Sequence, residues 1–242
     1  FFTTAFFTAA FLTAAFLTGA FLVGTLRGAS GNDSPAGILL CMPTPRVLIP
    51  AADIQRRVRE LGSEIGRECG PGPVYLIGVL KGSFIFLADL VRAIDTPVRV
   101  DFIGAASYGA GTESSGQVRI TKDLDASIEG CDVIVVEDIV DTGLTLAYLR
   151  SILLARHPVS VEVCTLLDRA VRRIAPLDIR YVGFDCPDLF VVGYGLDLDQ
   201  HHRNIPHVVA VEDVAAAQAD PTCLDRFLPG APVPLAAHDV PE

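Results

Sequence analysis

The stretch VIVVEDIVDTGLT, residues 133–145, passes from an apolar run into three carboxylates and then into a turn of small and hydroxylic residues. The four apolar residues at 133–136 are typical of a fully buried strand. The turn at 142–145 opens a predicted helix, and a helix N-terminus attracts an anion through its backbone N–H groups and its dipole. The stretch therefore predicts a strand, an anion-binding turn and a helix in immediate succession.

The three carboxylates are Glu137, Asp138 and Asp141. Two interpretations are open for this region: a solvated acidic turn with an ordinary helix cap at Thr142, or a ligand site. Unpaired carboxylates at the end of a buried strand repel one another, which favours a metal ion or a hydrogen-bond donor beside them. Adjacent carboxylates also suit a vicinal diol, so a diol pocket beside an anion pocket would accommodate a ribose 5-phosphate.

The segments on either side of this stretch alternate between helical and extended patterns. A helix capped by Asp53 is predicted to end near Gly70. Apolar strands that alternate with helices indicate an α/β fold with a mainly parallel, twisted sheet flanked by helices, and ligands gather at the carboxyl ends of such strands. The further predicted elements are helices at 83–94 and 142–157 and strands at 74–80, 98–106, 117–121, 159–167, 179–184 and 207–211.

Composition limits the class of protein. The 242 residues include 19 basic and 29 acidic side chains, and the formal net charge of -10 argues against a main task of neutralising nucleic-acid phosphates. The 6 cysteines are widely and irregularly spaced. This spacing favours free thiols in a reducing cytosol over a disulfide framework or a zinc site.

Both ends of the chain differ from its middle. Residues 1–26 carry no charged side chain and consist largely of degenerating five-residue repeats. Three interpretations stay open for them: a low-complexity extension, a membrane anchor, or a functional repeat module. Residues 27–50 are predicted to be a linker, residues 51–215 the folded domain and residues 216–242 a Pro-rich C-terminal tail.

The motif VEDIVDTGLT at 136–145 resembles the 5-phosphoribosyl 1-pyrophosphate (PRPP) signature of the purine phosphoribosyltransferases of the hypoxanthine-guanine type. The resemblance continues, in the family's order and over roughly residues 50 to 212, through Leu80-Lys81-Gly82, Ser107-Tyr108, 165–168 and 181–206. It implies a type I phosphoribosyltransferase fold with a small hood formed by the chain ends. It also implies transfer of the phosphoribosyl group from PRPP to a 6-oxopurine, with magnesium (Mg2+) as cofactor.

The resemblance gives the acidic motif and the turn separate roles. Glu137 and Asp138 would hold the ribose hydroxyls close to a magnesium ion, and Asp197 would support a second magnesium. Asp141 would sit beside N7 of the purine as the candidate general base or proton partner. The 5-phosphate would be bound by Thr142, Gly143, Leu144 and Thr145.

The pyrophosphate would be bound by a short segment in which the family typically has a non-proline cis peptide bond, together with two arginines. These residues are Leu80, Lys81, Gly82, Arg173 and Arg203. A magnesium ion and these cations would neutralise the leaving pyrophosphate in a protein that is otherwise acidic.

A glycine- and serine-rich loop at 107–116 would close over the reacting centre and exclude water. Ser107 and Tyr108 would lie at its hinge. Lys122, just beyond the loop, is predicted to be an exposed charge.

The purine side would be formed by Arg169, Phe190, Val191 and Asp197, with Phe190 stacking on the ring and Val191 offering backbone groups to its Watson–Crick edge. The chain departs from the family at Arg169, where a lysine that donates to the purine 6-oxo group is usual. The planar guanidinium is not equivalent to an ammonium group. We therefore expect a 6-oxopurine to be recognised, and leave the ranking of hypoxanthine, guanine and xanthine open.

The implied activity is purine salvage: PRPP and hypoxanthine or guanine give IMP or GMP and pyrophosphate. The alternatives are a PRPP-sensing regulatory protein of the same fold and a xanthine-preferring phosphoribosyltransferase. The acidic charge disfavours a regulator that binds nucleic acid. The resemblance further implies a homodimer or homotetramer. The cysteine spacing and the acidic charge predict a cytoplasmic protein without a nucleic-acid partner, and membrane association is expected only if residues 1–26 act as an anchor.

Overall fold

The computed structural model describes residues 45–68, 74–108 and 117–231. Several predicted segments lie outside these residues: the repeats at 1–26, nearly all of the linker, most of the closing loop, and the end of the tail from 232 onwards. The side chains at 107 and 108 also lie outside the description, so the predicted hinge stays a prediction.

The described chain forms strands and helices in an order close to the predicted one. The strands are β1 (Arg46–Ile49), β2 (Val74–Leu80), β3 (Val98–Tyr108), β4 (Gln117–Lys122), β5 (Asp132–Val140), β6 (Ser160–Asp168), β7 (Tyr181–Asp185), β8 (Phe190–Val192) and β9 (Val208–Val211). The α-helices are α1 (Ala51–Glu68), α2 (Phe84–Ala93), α3 (Leu144–Leu154) and α4 (Val214–Ala219). Short 3-10 helices occupy Ala170–Arg172 and Pro221–Phe227.

The larger sheet has the strand order β4-β3-β2-β5-β6-β7, in which β4 alone of the described strands runs antiparallel to its neighbour. The central strands are apolar on both faces because helices cover both sides. In the register, Leu80 pairs with Gly104 and Val140 pairs with Asp168. The carboxyl ends of β2, β3, β5 and β6 therefore meet at one edge, where ligands of such sheets usually bind, and the predicted fold class is confirmed.

Helix α1 forms because Ile54, Val58, Leu61 and Ile65 recur at helical spacing and pack into the core, where each is at most 1% exposed. The helix begins at Ala51 and not at an Asp53 cap. The Ala51 N–H donates to His207 Nδ1 over 3.0 Å, so a residue distant in sequence satisfies the helix end. Among the described helices, none combines the length and apolarity needed to cross a bilayer.

A second, three-stranded antiparallel sheet with the order β1-β9-β8 forms the hood. Strand β1 lies within the predicted linker, which as a result ends before residue 46. The predicted tail likewise begins with structure, because α4 packs on the hood through Ala217, and the 3-10 helix at 221–227 packs there through Leu224 and Phe227. Segments this short have too few residues to show a periodicity, and they are stabilised by pairing and burial against the rest of the fold.

Candidate active site

An open cleft of about 420 Å³ lies between the carboxyl ends of the central strands and the hood. Its walls come from β2 and the turn after it, from β3 and β4, from the end of β5, and from the loop between β8 and β9. The residues that line it are Leu80, Lys81, Gly82, Gly104, Ala105, Thr121, Asp138, Asp197, Gln200 and Arg203. Six of the residues predicted for the site are therefore brought together here: three from the pyrophosphate segment, two carboxylates and Arg203.

The carboxylates of Glu137 and Asp138 are strongly desolvated although part of each residue remains accessible. Burial raises the pKa of Asp138 to about 6, and the charge of Asp197 adds to this, against the Ile139 N–H and Arg203, which lower it. Burial also raises the pKa of Glu137 well above its usual value, and the Asp138 charge contributes. Within the described residues, the buried Glu137 Oε2 accepts no hydrogen bond. Both carboxylates would therefore gain from a hydroxyl donor or a cation.

Two glycines let the chain approach the Asp138 carboxylate closely. A Cβ atom on Gly82 would lie 1.5 Å from Asp138 Oδ2, and one on Gly195 would lie 2.0 Å from the Gly82 carbonyl oxygen. Gly195 also has a φ of +103°, which side chains of L-residues rarely permit. The Leu80–Lys81 peptide bond, which immediately precedes Gly82, is cis, as the resemblance implies. The predicted pyrophosphate segment is thus placed directly against the predicted ribose carboxylate.

The cations of the cleft are linked through the loop after β8. Arg203 Nη2 lies 2.7 Å from Asp197 Oδ1, and Arg203 Nη1 donates to the Gly195 carbonyl over 2.7 Å. Lys81 Nζ and Arg203 Nη2 each donate to Gln200 Oε1 over 3.2 Å. Sequence reasoning missed Gln200, because a single glutamine in a loop carries no motif of its own.

The turn at 142–145 leads directly into α3. Gly143 adopts a φ of +77°, and the first-turn N–H groups of the helix point along an axis that favours an anion. The Ile174 and Ala175 N–H groups both donate to the Thr142 carbonyl over 3.0 Å, which attaches the turn to the segment that follows β6. Leu144 remains exposed to the extent of 42%.

Arg173, which was predicted to bind pyrophosphate, is not among the residues that line the cleft. Its Nε donates to the Asp141 carbonyl over 3.1 Å, and its Nη2 forms an ion pair with Asp168. A Cβ on Gly143 would lie 3.0 Å from the Arg173 side chain. The geometry therefore favours a role in bracing the turn at 142–145.

Asp141 and Arg169 lie together on the other side of the turn. Arg169 Nη1 is 3.4 Å from Asp141 Oδ2, and Arg169 Nη2 donates to the Leu189 carbonyl. Arg172, which was not predicted, approaches the same carboxylate at 3.7 Å. Asp141 Oδ1 and Arg169 Nε are buried and have no hydrogen-bond partner within the described residues. One acceptor and one donor are thus left unpaired within the described residues.

The oxygen donors of the cleft fit a magnesium ion. Within the described residues, no group of three His, Cys, Asp or Glu side chains forms a ready-made metal cage. Mg2+ usually takes one or two carboxylates and completes its octahedron with water and substrate phosphates. Asp138 and Asp197 both line the cleft, and the unpaired Glu137 Oε2 adds an acceptor nearby.

Comparison with known proteins agrees with this geometry. The family model described as "Phosphoribosyl transferase domain" matches residues 50–199. A hypoxanthine-guanine phosphoribosyltransferase of Mycobacterium avium is 52% identical over 169 residues, which cover 67% of this chain and 83% of that protein. The enzyme of the same name from Bacillus subtilis is 47% identical over 163 residues, covering 67% and 91%.

A crystal structure of a hypoxanthine-guanine phosphoribosyltransferase from Bacillus anthracis, with a HEPES molecule in its active site, superimposes with a TM-score of 0.66 and 46% identity. The superposition covers 68% of this chain and 97% of the other. About two thirds of this chain therefore corresponds to nearly the whole of that structure.

Proposed function

Because this chain belongs to the phosphoribosyl transferase domain family, we propose that it is a purine salvage enzyme. It transfers the 5-phosphoribosyl group of PRPP to N9 of hypoxanthine or guanine and releases IMP or GMP and pyrophosphate. The observation that carries this function is the cleft itself, in which Asp138, Asp197, Lys81 and Arg203 converge. The relatives bear enzyme names, which favours this activity over a PRPP-sensing regulator.

The reaction breaks the bond between C1 of the ribose and the pyrophosphate oxygen and forms a bond between C1 and N9, while the purine gives up one proton. Positive charge develops on the ribose ring as the first bond lengthens. Glu137 and Asp138 accept hydrogen bonds from the ribose hydroxyls, and the N–H groups of the turn bind the 5-phosphate. These contacts hold C1 in line between the leaving oxygen and the base.

The leaving pyrophosphate meets Lys81, the backbone of the Leu80–Gly82 segment, and Arg203. A magnesium ion held by Asp138 and Asp197, with Glu137 close by, would supply further charge neutralisation. Arg203 is paired with Asp197 and Lys81 is held by the Gln200 amide, so both cations already lie in the cleft when charge moves to the leaving group.

The purine lies beside Asp141, Arg169 and Phe190. The unpaired Asp141 Oδ1 is the acceptor for the proton that the base gives up. The unpaired Arg169 Nε is the donor for the purine 6-oxo group, which a lysine supplies elsewhere in the family. Phe190 stacks on the ring, and the backbone of Val191 meets its Watson–Crick edge.

The function is tested by incubating the purified full chain with PRPP, Mg2+ and each of hypoxanthine, guanine and xanthine, and following nucleotide and pyrophosphate formation. We expect IMP or GMP and an equal amount of pyrophosphate. A preparation that is folded by circular dichroism yet forms no nucleotide from any of the three bases would rule the function out.

We place the enzyme in the cytoplasm, with residues 1–26 as an extension that the chemistry does not need. Supporting this, the cysteines of the described residues are free thiols, as is usual in a reducing compartment: Cys131, Cys164, Cys186 and Cys223. Deleting residues 1–26 should leave turnover unchanged, and fractionation of cells that express both forms tests whether the segment attaches to membrane.

A homodimer or homotetramer is proposed for the active protein. In support, Val171 and Ile174 beside the active-site turn are 74% and 68% exposed, and large apolar side chains in such positions are common in contacts between subunits. Sedimentation equilibrium of the full chain measures the state directly, and a monomer at micromolar concentration would contradict the proposal.

A further inference from the structure

Gln200 lies between the two cations that line the cleft. Its Oε1 accepts hydrogen bonds from Lys81 Nζ and from Arg203 Nη2, each over 3.2 Å. On the other side of the same amide, Nε2 donates to Asp197 Oδ2 over 3.3 Å. The amide oxygen thus meets two cations and the amide nitrogen meets a carboxylate, which is the orientation that the surrounding charges require.

The backbone of Gln200 is fixed independently of its side chain. Its N–H donates to Asp197 Oδ2 over 2.8 Å, and Leu198 and His201 exchange backbone hydrogen bonds across the turn. Asp199 and Gln200 have φ values of 51° and 68°. Non-glycine residues persist in this region only where the surroundings hold them. A tight turn that is held by backbone hydrogen bonds therefore places the Gln200 amide in the cleft.

The two cations differ in how they are held. Arg203 also contacts Asp197 and the Gly195 carbonyl, so its guanidinium stays in place without Gln200. For the exposed Lys81 ammonium, the side-chain partner found in the described part of the chain is Gln200. Lys81 and Arg203 are both positively charged and repel each other, and the Gln200 amide oxygen offsets this repulsion by accepting a hydrogen bond from each. The amide oxygen thus keeps Lys81 directed at the position that Arg203 also reaches.

We propose that Gln200 is a positioning residue of the pyrophosphate site, whose amide oxygen occupies the place of an anionic oxygen between Lys81 and Arg203 until pyrophosphate displaces it. The inference rests on the proposed function, because it takes these two cations as pyrophosphate ligands. A neutral amide orients both cations, yet its hydrogen bonds are weaker than those of a charged phosphate oxygen. A carboxylate in the same position would instead compete with the leaving group.

The test compares the wild-type full chain with the variants Gln200→Glu and Gln200→Ala. Gln218→Glu serves as the matched control, because Gln218 is exposed on α4 and the change adds the same charge outside the cleft. Calorimetric titration measures the affinity of each protein for inorganic pyrophosphate with Mg2+ and, separately, for IMP. Steady-state assays give the KM for PRPP and for the base, and thermal melting reports folding.

We expect Gln200→Glu to weaken pyrophosphate binding by about tenfold or more and to raise the KM for PRPP in parallel, because charge-assisted hydrogen bonds are about twice as strong as neutral ones. Gln200→Ala should weaken pyrophosphate binding by about threefold to tenfold, because the Lys81 side chain is then ordered only when the ligand binds, at about the cost of one immobilised side chain. The affinity for IMP and the KM for the base should stay within about twofold in both variants, since those ligands are held by other residues.

Unchanged pyrophosphate affinity in Gln200→Glu would overturn the inference. So would equal losses for pyrophosphate and IMP, or losses that follow a lowered melting temperature, because these indicate a general structural role. If the wild-type protein itself forms no nucleotide and binds neither ligand, the proposed function has failed. That outcome is distinct from an active wild type whose Gln200 variants behave normally, which refutes the role of Gln200 alone.

Discussion

The guanidinium of Arg169 and the carboxylate of Asp141 face each other at 3.4 Å, and each keeps one buried polar atom without a partner within the described residues. Arg169 follows β6 and Asp141 follows β5, so their contact depends on the parallel pairing of those strands. Arg169, where the resemblance led us to expect a lysine, therefore contacts the candidate base directly. Substitutions at the two positions should separate base recognition from proton transfer.

Replacing Asp141 with asparagine should lower kcat by about 100-fold to 10,000-fold, the range typical of a lost general base. Asparagine keeps the size of the side chain and one acceptor but cannot take up the proton. The KM for PRPP should change by less than about threefold, since the ribose and phosphate contacts remain. Initial-rate kinetics over both substrates measure this, and equal losses in turnover and in PRPP binding would contradict the role.

Replacing Arg169 with alanine should raise the KM for the purine by about 10-fold to 100-fold, because a hydrogen bond from a charged donor is lost. Arg169→Lys should retain activity and change the ranking of the three bases, since an ammonium lacks the planar fork. Arg172→Ala is the control: its pair with Asp141 is half-exposed, and exposed pairs contribute little. A similar loss in Arg172→Ala would show that the effect comes from the general positive charge around Asp141 and not from a specific contact of Arg169.

Gly195→Ala should destabilise the protein more than Gly130→Ala does. Both glycines have positive φ, but a Cβ at Gly195 would meet the Gly82 carbonyl at 2.0 Å, whereas none of the described atoms lies within 4 Å of a Cβ at Gly130. We expect a difference of at least about 2 kcal/mol in the free energy of unfolding, in the range of overpacking effects. Urea unfolding measures it, and PRPP turnover should fall in Gly195→Ala alone.

Replacing Asp101 with asparagine should loosen the strand that returns from the closing loop. The Asp101 carboxylate is buried and accepts from the Phe102 and Asp125 N–H groups and from Lys122 Nζ. Burial alone raises the pKa of Asp101, but these donors outweigh it and the pKa lies below its usual value. A lowered pKa means that the ionised form stabilises the fold, and that this contribution disappears as the pH falls through the folded-state pKa.

For Asp101→Asn we therefore expect a loss of about 1–3 kcal/mol in unfolding free energy near pH 7, which shrinks below about pH 4. Asp178→Asn is the control, since Asp178 is exposed. Denaturant unfolding at several pH values checks both. A difference between wild type and Asp101→Asn that does not change with pH would contradict an ionic contribution.

Replacing Leu224 with alanine should weaken the hood and, through it, the active site. Leu224 is fully buried in the cluster that contains Leu198 and Ile205, which flank the loop carrying Gln200 and Arg203. The expected loss is about 2–5 kcal/mol in the free energy of unfolding, together with a raised KM for PRPP. Leu154→Ala, at a position that is 44% exposed, should cost less than about 1 kcal/mol. Full activity in a destabilised Leu224→Ala protein would show that the C-terminal segment does not support the cleft.

Predictions from the sequence were most successful where one segment contains the whole signal. Residues 133–145 predicted strand, turn and helix correctly because buried strands and helix N-termini leave local patterns. Lys122 was predicted as an exposed charge, yet its ammonium donates to Asp101, Asp125 and two carbonyls. No local pattern reveals such a network, because Asp101 lies on the neighbouring strand.

The sequence alone determined the fold class, the order of nearly all elements and the family, since hydrophobic periodicity and contiguous motifs are properties of a segment. Only the tertiary structure decided which groups meet. It placed Gln200 between Lys81 and Arg203, turned Arg173 toward Asp168, and made strand β1 from four residues that had been predicted as linker. These outcomes depend on strand register and on loops that pack against distant segments, and such contacts form when the whole chain buries its core.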